Sequence, residues 1–200
     1  MTDHAHRLPA LFVPHGSPAF ILEPGAAGAA LRRIAADLPK PRAIVVVSAH
    51  WDTAEPTLGL ADPLDTIHDF WGFPAALYDI RYPARNDLAV AEKVRRLLRQ
   101  AGIEPKLDNG RGLDHGAWTP LLLMYPAADI PVIPLSLQSR LGPEHHYRLG
   151  QALAPLLEEG VLVLASGNLT HNLRDYQMAA FNGNRTPAYV GEFAQWISQR

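Results

Sequence analysis

Residues 43–48 read AIVVVS, an unbroken apolar run that ends in a serine. This composition is typical of a strand covered on both faces, because neither face of such a strand meets water. A second run of the same kind, VLVLAS, occupies residues 161–166. We therefore predict that both runs form central strands of a parallel sheet.

Helical patterns alternate with strand patterns around these two runs. Alternation of this kind predicts an α/β fold, here a single domain over residues 1–200 with a mostly parallel central sheet and helices on both faces. Pro134 argues against full pairing of the strand that contains it. Further strands are predicted at residues 10–14, 57–60, 103–107 and 130–137, and helices at residues 26–38, 87–101, 118–125, 143–159 and 187–199.

The composition excludes several classes of function. Lys and Arg number 18 against 20 for Asp and Glu, so the formal net charge is -2 and no basic surplus exists to bind nucleic acid. The chain has no cysteine, which excludes disulfides, thiolate zinc sites and cysteine nucleophiles. The apolar runs are too short to cross a bilayer and no export signal is evident, so we predict a cytoplasmic protein without membrane contact.

Three histidines follow predicted strands at the point where each strand ends. His15 lies in PHGSP, His50 in SAHW and His171 in SGNLTHN. Ligands bind at the carboxyl ends of parallel strands, so these imidazoles are candidate metal ligands at that edge of the sheet. Three ring nitrogens suit zinc or ferrous iron and leave coordination positions open. Each histidine taken alone is also compatible with an ordinary structural role.

Two further histidines lie in predicted loops. His115, in LDHGAW beside Asp114, is a candidate proton-transfer group because histidine is the side chain that most often serves as a general acid or base, and the same Asp and His are also candidates to cap the helix that follows. His68, in IHDFWGFP, lies in a loop that either covers a pocket or is held to the surface by its aromatic residues. Ser17, Ser48 and Ser166 lack the surroundings of a hydrolase nucleophile, such as G-x-S-x-G, so we do not predict a serine hydrolase.

Several long motifs resemble those of a known family in the same order. They resemble the 4,5-DOPA extradiol dioxygenase group of the class III (LigB-like) extradiol ring-cleavage dioxygenases, and the resemblance extends over residues 9–176. The segments that carry it are LFVPHGSP, IVVVSAHW, IHDFWGFP, LYDIRYPA, LDHGAWTPLLLMYP, IPVIPLSLQS and ASGNLTHNLRDY.

The resemblance implies an enzyme that opens the ring of a DOPA-like catechol beside its diol with O2. It implies that His15, His50 and His171 are metal-site residues and that His115 is the acid–base catalyst. It places His68 near the substrate. The expected metal is Fe(II), and Zn(II) is compatible with the same nitrogens in a purified sample.

The resemblance also bears on the extent of the domain. Family members continue with a Pro-Glu-His segment that supplies another metal-site histidine, so we expect residues 1–200 to lack this C-terminal segment. The expected partners are a small catechol and O2, in a monomer or small homo-oligomer.

Two other functions remain open from the sequence. A zinc-dependent hydrolase would use the same histidines to activate water, with Asp114 as the obvious carboxylate base. A non-catalytic homologue would bind the metal or a partner subunit without turnover. Metal dependence and oxygen consumption distinguish the three hypotheses.

Overall fold

The apolar run at residues 43–48 forms a strand in the computed structural model, which describes residues 7–179, 181, 183 and 185–199. The chain divides into two compact units, and the second begins at Asn168. The strands are β1 (Ala10–Val13), β2 (Ala43–Ser48), β3 (Thr57–Gly59), β4 (Lys106–Asp108), β5 (Val132–Pro134) and β6 (Val161–Ser166). The helices of the first unit are α1 (Gly25–Asp37), α2 (Ala75–Tyr78), α3 (Leu88–Gln100), α4 (His115–Met124) and α5 (Gly142–Leu153).

Four parallel strands form the main sheet in the order β1-β6-β2-β5. Strands β2 and β6 pair along their whole length, from Ala43 opposite Val161 to Ser48 opposite Ser166. The prediction of two central, buried strands is therefore confirmed. Strand β5 lies at an edge, as expected of a strand that contains Pro134 and so lacks one backbone donor.

Helices cover both faces of this sheet, as predicted. The side chains of Ile44 and Val46 point to one face, where they share a core with α1 and α4. Those of Ala43 and Val45 point to the other face, where they share a core with α3 and α5. This alternation is the period of two that a strand imposes on its side chains. The first unit is thus an α/β domain with two apolar cores.

Several elements differ from their predicted bounds, and the strand predicted at residues 130–137 is confined to β5. The strand predicted at residues 103–107 is β4, and it pairs with β3 in a separate two-stranded parallel sheet. The helix predicted at residues 143–159 ends as an α-helix at Leu153 and continues as a 3-10 helix, Ala154–Glu159, with Pro155 in its first turn. The predicted loop at residues 61–85 contains the single helical turn α2.

Side chains cap two helices of the first unit. Asp87 accepts hydrogen bonds from the backbone N–H groups of Ala89 and Val90 at 2.9 and 3.1 Å, and such a cap contributes about 1 kcal/mol. Helix α4 begins at His115, three residues before its predicted start, because Asp114 caps it by accepting from the backbone N–H of Ala117. Nine of its ten residues are buried.

The described residues of the second unit form two helices, α6 (Leu173–Ala179) and α7 (Ala188–Ser198). Helix α7 confirms the helix predicted at residues 187–199, within one residue at each end. Among the residues described, no helix is both long and apolar enough to cross a membrane. That residues 1–200 form one domain stays a prediction.

Candidate metal and proton-transfer site

Three histidines of the first unit meet at one end of the sheet. His15 follows β1 by two residues, His50 follows β2 by two residues, and His115 opens α4. One ring nitrogen from each lies within 4.8 Å of the others. The Nε2 atoms of His15 and His50 are 3.1 Å apart, and the ring centroids of His50 and His115 are 4.0 Å apart. The structure therefore brings together two predicted metal ligands and the predicted proton-transfer residue.

The carboxylate of Asp69 orients His115 and faces His50. Its Oδ1 accepts hydrogen bonds from the backbone N–H and the ring Nδ1 of His115, both at 2.9 Å. Its Oδ2 lies 3.4 Å from Nδ1 of His50. Burial raises the pKa of Asp69, but the hydrogen bonds from His115 outweigh this effect and lower the pKa to about 2. Asp69 is therefore an acceptor at neutral pH, the proton of His115 resides on Nδ1, and its Nε2 carries a lone pair.

Asp69 is a functional residue that the sequence reasoning missed. It is the neighbour of His68 in the motif IHDFWGFP, in which only the histidine was predicted to be functional. An acidic residue directly beside Phe70 and Trp71 was a usable signal, because a carboxylate in apolar surroundings normally has a specific partner.

The start of α4 is fixed by Asp114, not by His115. The carboxylate of Asp114 accepts from the Ser48 hydroxyl at 2.5 Å through Oδ1, and from the Arg111 guanidinium at 2.5 Å through Oδ2. The Ser48 hydroxyl in turn accepts from the backbone N–H of His50 at 3.1 Å. The predicted capping role thus belongs to Asp114, and it ties the end of β2 to the start of α4.

Gly116 allows β2 and α4 to approach each other closely. A Cβ atom at this position would lie 2.3 Å from Oγ of Ser48 and 2.9 Å from Cδ2 of His50. Real Cβ atoms do not come this close to their neighbours, so a side chain here would displace Ser48 and His50. The glycine after His115 is therefore part of the site's geometry.

His68 lies outside the three-histidine group. Its Nε2 donates to the backbone carbonyl of Ile80 at 3.1 Å, and its ring contacts Phe70, Tyr78 and Trp118. The ring of Phe70 separates the two locations, with its centroid 5.6 Å from that of His68 and 5.8 Å from that of His115. Its role as a substrate-binding residue stays a prediction.

His171 belongs to the second unit and its side chain is exposed. The three-histidine group of the first unit is formed with His115 in addition to His15 and His50. The predicted role of His171 as a metal ligand therefore stays a prediction.

Replacing Asp69 with asparagine should lower the activity of the site without unfolding the protein. The amide keeps the shape of the carboxylate but loses its charge, so it no longer stabilises protonated His115 or selects its Nδ1–H tautomer. We expect a loss of about 10–100-fold, typical of residues that orient an active-site histidine. A turnover assay tests this, with Asp65→Asn, exposed on the same loop, as the matched control. Equal activity of the two variants would contradict the role given to Asp69.

Comparisons with known proteins agree with the geometry. The family model described as the catalytic LigB subunit of aromatic ring-opening dioxygenase matches residues 12–197. A Beta vulgaris protein named 4,5-DOPA dioxygenase extradiol is 55% identical over 133 residues, which are 66% of this chain and 50% of the relative. An Escherichia coli K12 protein of the same name is 44% identical over 182 residues, which are 90% of this chain and 65% of the relative.

A solved structure is also similar. The crystal structure of an uncharacterized protein from Escherichia coli K12 has a TM-score of 0.69 and 40% sequence identity, covering 84% of this chain and 63% of that one. The chain spans 50–65% of the length of the two curated relatives.

Proposed function

We propose that this chain takes part in extradiol cleavage of a catechol. The premise is that it belongs to the family of the catalytic LigB subunit of aromatic ring-opening dioxygenase. The observation that carries the proposal is the group formed by His15, His50 and His115, whose ring nitrogens lie within 4.8 Å of one another. In the reaction, the carbon–carbon bond beside the diol breaks and both atoms of O2 enter the semialdehyde product. No external reductant is therefore needed. The names of the relatives favour a DOPA-like catechol.

The residues of the group fit a metal ion. Two imidazole nitrogens 3.1 Å apart must share a proton or a cation, because two lone pairs that face each other repel. The Nε2 lone pair of His115 lies beside this pair and is available for proton transfer, since its Nδ1 proton is committed to Asp69. Imidazole ligands that donate their second N–H to a carboxylate are typical of metal sites. We assign His15 and His50 as the residues that would hold the ion.

Iron in the ferrous state is the ion we propose. Zinc binds the same nitrogens but has no redox chemistry. Ferrous iron, when bound, supplies the one-electron chemistry that allows O2 to react with an aromatic ring.

His115 is placed to move the proton of the catechol. Its Nε2 is the basic atom, and the ionised Asp69 carboxylate stabilises the imidazolium that forms when Nε2 takes a proton. The same atom returns a proton as the ring opens.

An aromatic cluster beside His115 limits the access of water. Phe70 is 8% exposed and its ring edge contacts the ring of His115. Phe73 and Tyr78 contact Phe70 in turn, with centroids 5.4 and 5.2 Å from it. These rings make one side of the His115 ring apolar, and electrostatic effects are stronger in such surroundings than in water.

The contacts of Asp114 argue against its role as the general base of a zinc-dependent hydrolase. Asp114 is 2% exposed, and its carboxylate accepts from Ser48, Arg111 and the backbone N–H of Ala117. A carboxylate engaged in this way does not activate a water molecule. The small-molecule substrate and O2 are the partners we propose, and a cytoplasmic location and a monomer or small homo-oligomer stay predictions.

Oxygen uptake tests the proposed function directly. Protein loaded anaerobically with Fe(II) is expected to consume O2 and form a coloured semialdehyde with at least one of a panel of catechols that includes dihydroxyphenylalanine. Protein loaded with Zn(II) is the control and should consume none. Stoichiometric Fe(II) without turnover on any catechol would instead support the non-catalytic homologue, and hydrolysis by the zinc-loaded form would support the hydrolase.

A further inference from the structure

Two buried serines end the paired central strands, and the proposed mechanism uses neither of them. Ser48 ends β2 and Ser166 ends β6, directly opposite each other, and each is 3% exposed. Ser48 is engaged with Asp114, which fixes the start of α4. Ser166 contacts a histidine of the site itself, because its Oγ lies 2.7 Å from Nδ1 of His15.

The direction of this hydrogen bond follows from the second partner of Ser166. Its hydroxyl also contacts the backbone carbonyl of Gly116, and a carbonyl only accepts. A hydroxyl has one proton, so that proton is donated to Gly116. The hydrogen bond to His15 must then run the other way, with Nδ1–H as the donor and Oγ as the acceptor. His15 therefore holds its proton on Nδ1 and its lone pair on Nε2, the atom that faces His50.

We propose that Ser166 is a positioning residue that sets the tautomer of His15 and so prepares its Nε2 to bind a metal ion. The carbonyl of Gly116 accepts the hydroxyl proton of Ser166 and so orients the serine Oγ toward His15. The part of the inference that concerns metal binding rests on the proposed function, and the part that concerns the tautomer does not. A serine hydroxyl here performs for His15 the task that the Asp69 carboxylate performs for His115.

A buried serine with only a structural role provides the contrast. Ser136, which follows β5, is 0% exposed and its hydroxyl contacts Thr53, Gln138 and the backbone N–H of Thr57. These partners include none of the three histidines, so a Ser136→Ala variant removes a comparable set of buried hydrogen bonds away from the site. It is the matched control for Ser166→Ala.

The first experiment observes the tautomer in the metal-free protein. NMR of protein labelled with ¹⁵N at histidine is expected to show the proton of His15 on Nδ1 in the parent and in Ser136→Ala. In Ser166→Ala the Nδ1–H population should fall, because its acceptor is gone. Ser166→Thr keeps a hydroxyl and should restore the parent signal. A proton on Nε2 of His15 in the parent protein overturns the proposal, even if no variant folds.

The second experiment measures the affinity for Zn(II) by competition with a chelating dye. We expect Ser166→Ala to bind Zn(II) about 10–100-fold more weakly than the parent, with Ser136→Ala unchanged and Ser166→Thr close to the parent. Equal affinity of Ser166→Ala and the parent would overturn the metal-binding role. A parent protein that binds no Zn(II) would refute the metal site and, with it, that role, while the NMR signal still decides the tautomer.

Discussion

A His115→Ala variant is expected to keep its metal and lose its turnover. The substitution removes the Nε2 atom that takes and returns the catechol proton, and general acid–base groups contribute about 10²–10⁴-fold to a rate. His15 and His50 remain in place, because other contacts hold them: Ser166 for the ring of His15 and Ser48 for the backbone of His50. Oxygen uptake gives the turnover, and the iron content after gel filtration gives the metal.

A histidine outside the group serves as the control for this variant. His145 contacts Gln138 through Nε2 at 2.9 Å, and His145→Ala should retain the parent rate. If His115→Ala loses iron together with turnover, His115 is a metal ligand and not the acid–base group. A His115→Ala variant that works at the parent rate would remove His115 from the mechanism altogether.

A Gly116→Ala variant should disturb the site by steric crowding alone. Its Cβ would overlap Oγ of Ser48 and crowd the ring of His50, so the strand end and the helix start must move apart. Overpacking of this kind destabilises a protein by about 1–3 kcal/mol. Displacement of His50 by about 1 Å is expected to lower turnover roughly 100-fold. Thermal unfolding and oxygen uptake measure the two effects.

The same substitution at Gly150 separates crowding from helix propensity. Gly150 also lies in a helix, α5, but nothing surrounds the position of its missing Cβ within 4 Å. Gly150→Ala should therefore stabilise the protein by up to about 1 kcal/mol and leave turnover unchanged. Unchanged turnover in Gly116→Ala as well would mean that β2 and α4 tolerate separation at the site.

The central strands and the histidines that follow them were predictable from the sequence. A strand buried on both faces needs an almost continuous run of apolar residues, and the runs at residues 43–48 and 161–166, rich in β-branched residues and Leu, have this pattern. His15 and His50 follow from the rule that ligands gather at the carboxyl ends of parallel strands. Local pattern and general topology were sufficient for these features.

The contacts that orient the histidines were not predictable in the same way. Asp69 approaches His115 across 46 residues and Ser166 approaches His15 across 151 residues. Such pairs depend on the order of the strands, which places β6 between β1 and β2. No periodicity in the sequence encodes that order. The start of α4 was predicted three residues too late although Asp114 was a candidate cap, and the contact that holds this cap to the end of β2 comes from Ser48, 66 residues away.

The position of β6 has a consequence for synthesis on the ribosome. Strands β1 and β2 emerge early, yet each borders β6, which emerges more than a hundred residues after β2. The nascent chain therefore cannot complete its main sheet until residues 161–166 have left the exit tunnel. Pairings between such distant segments form slowly, and unpaired strand edges invite aggregation in the meantime. Chaperone protection during this interval should raise the yield of folded protein.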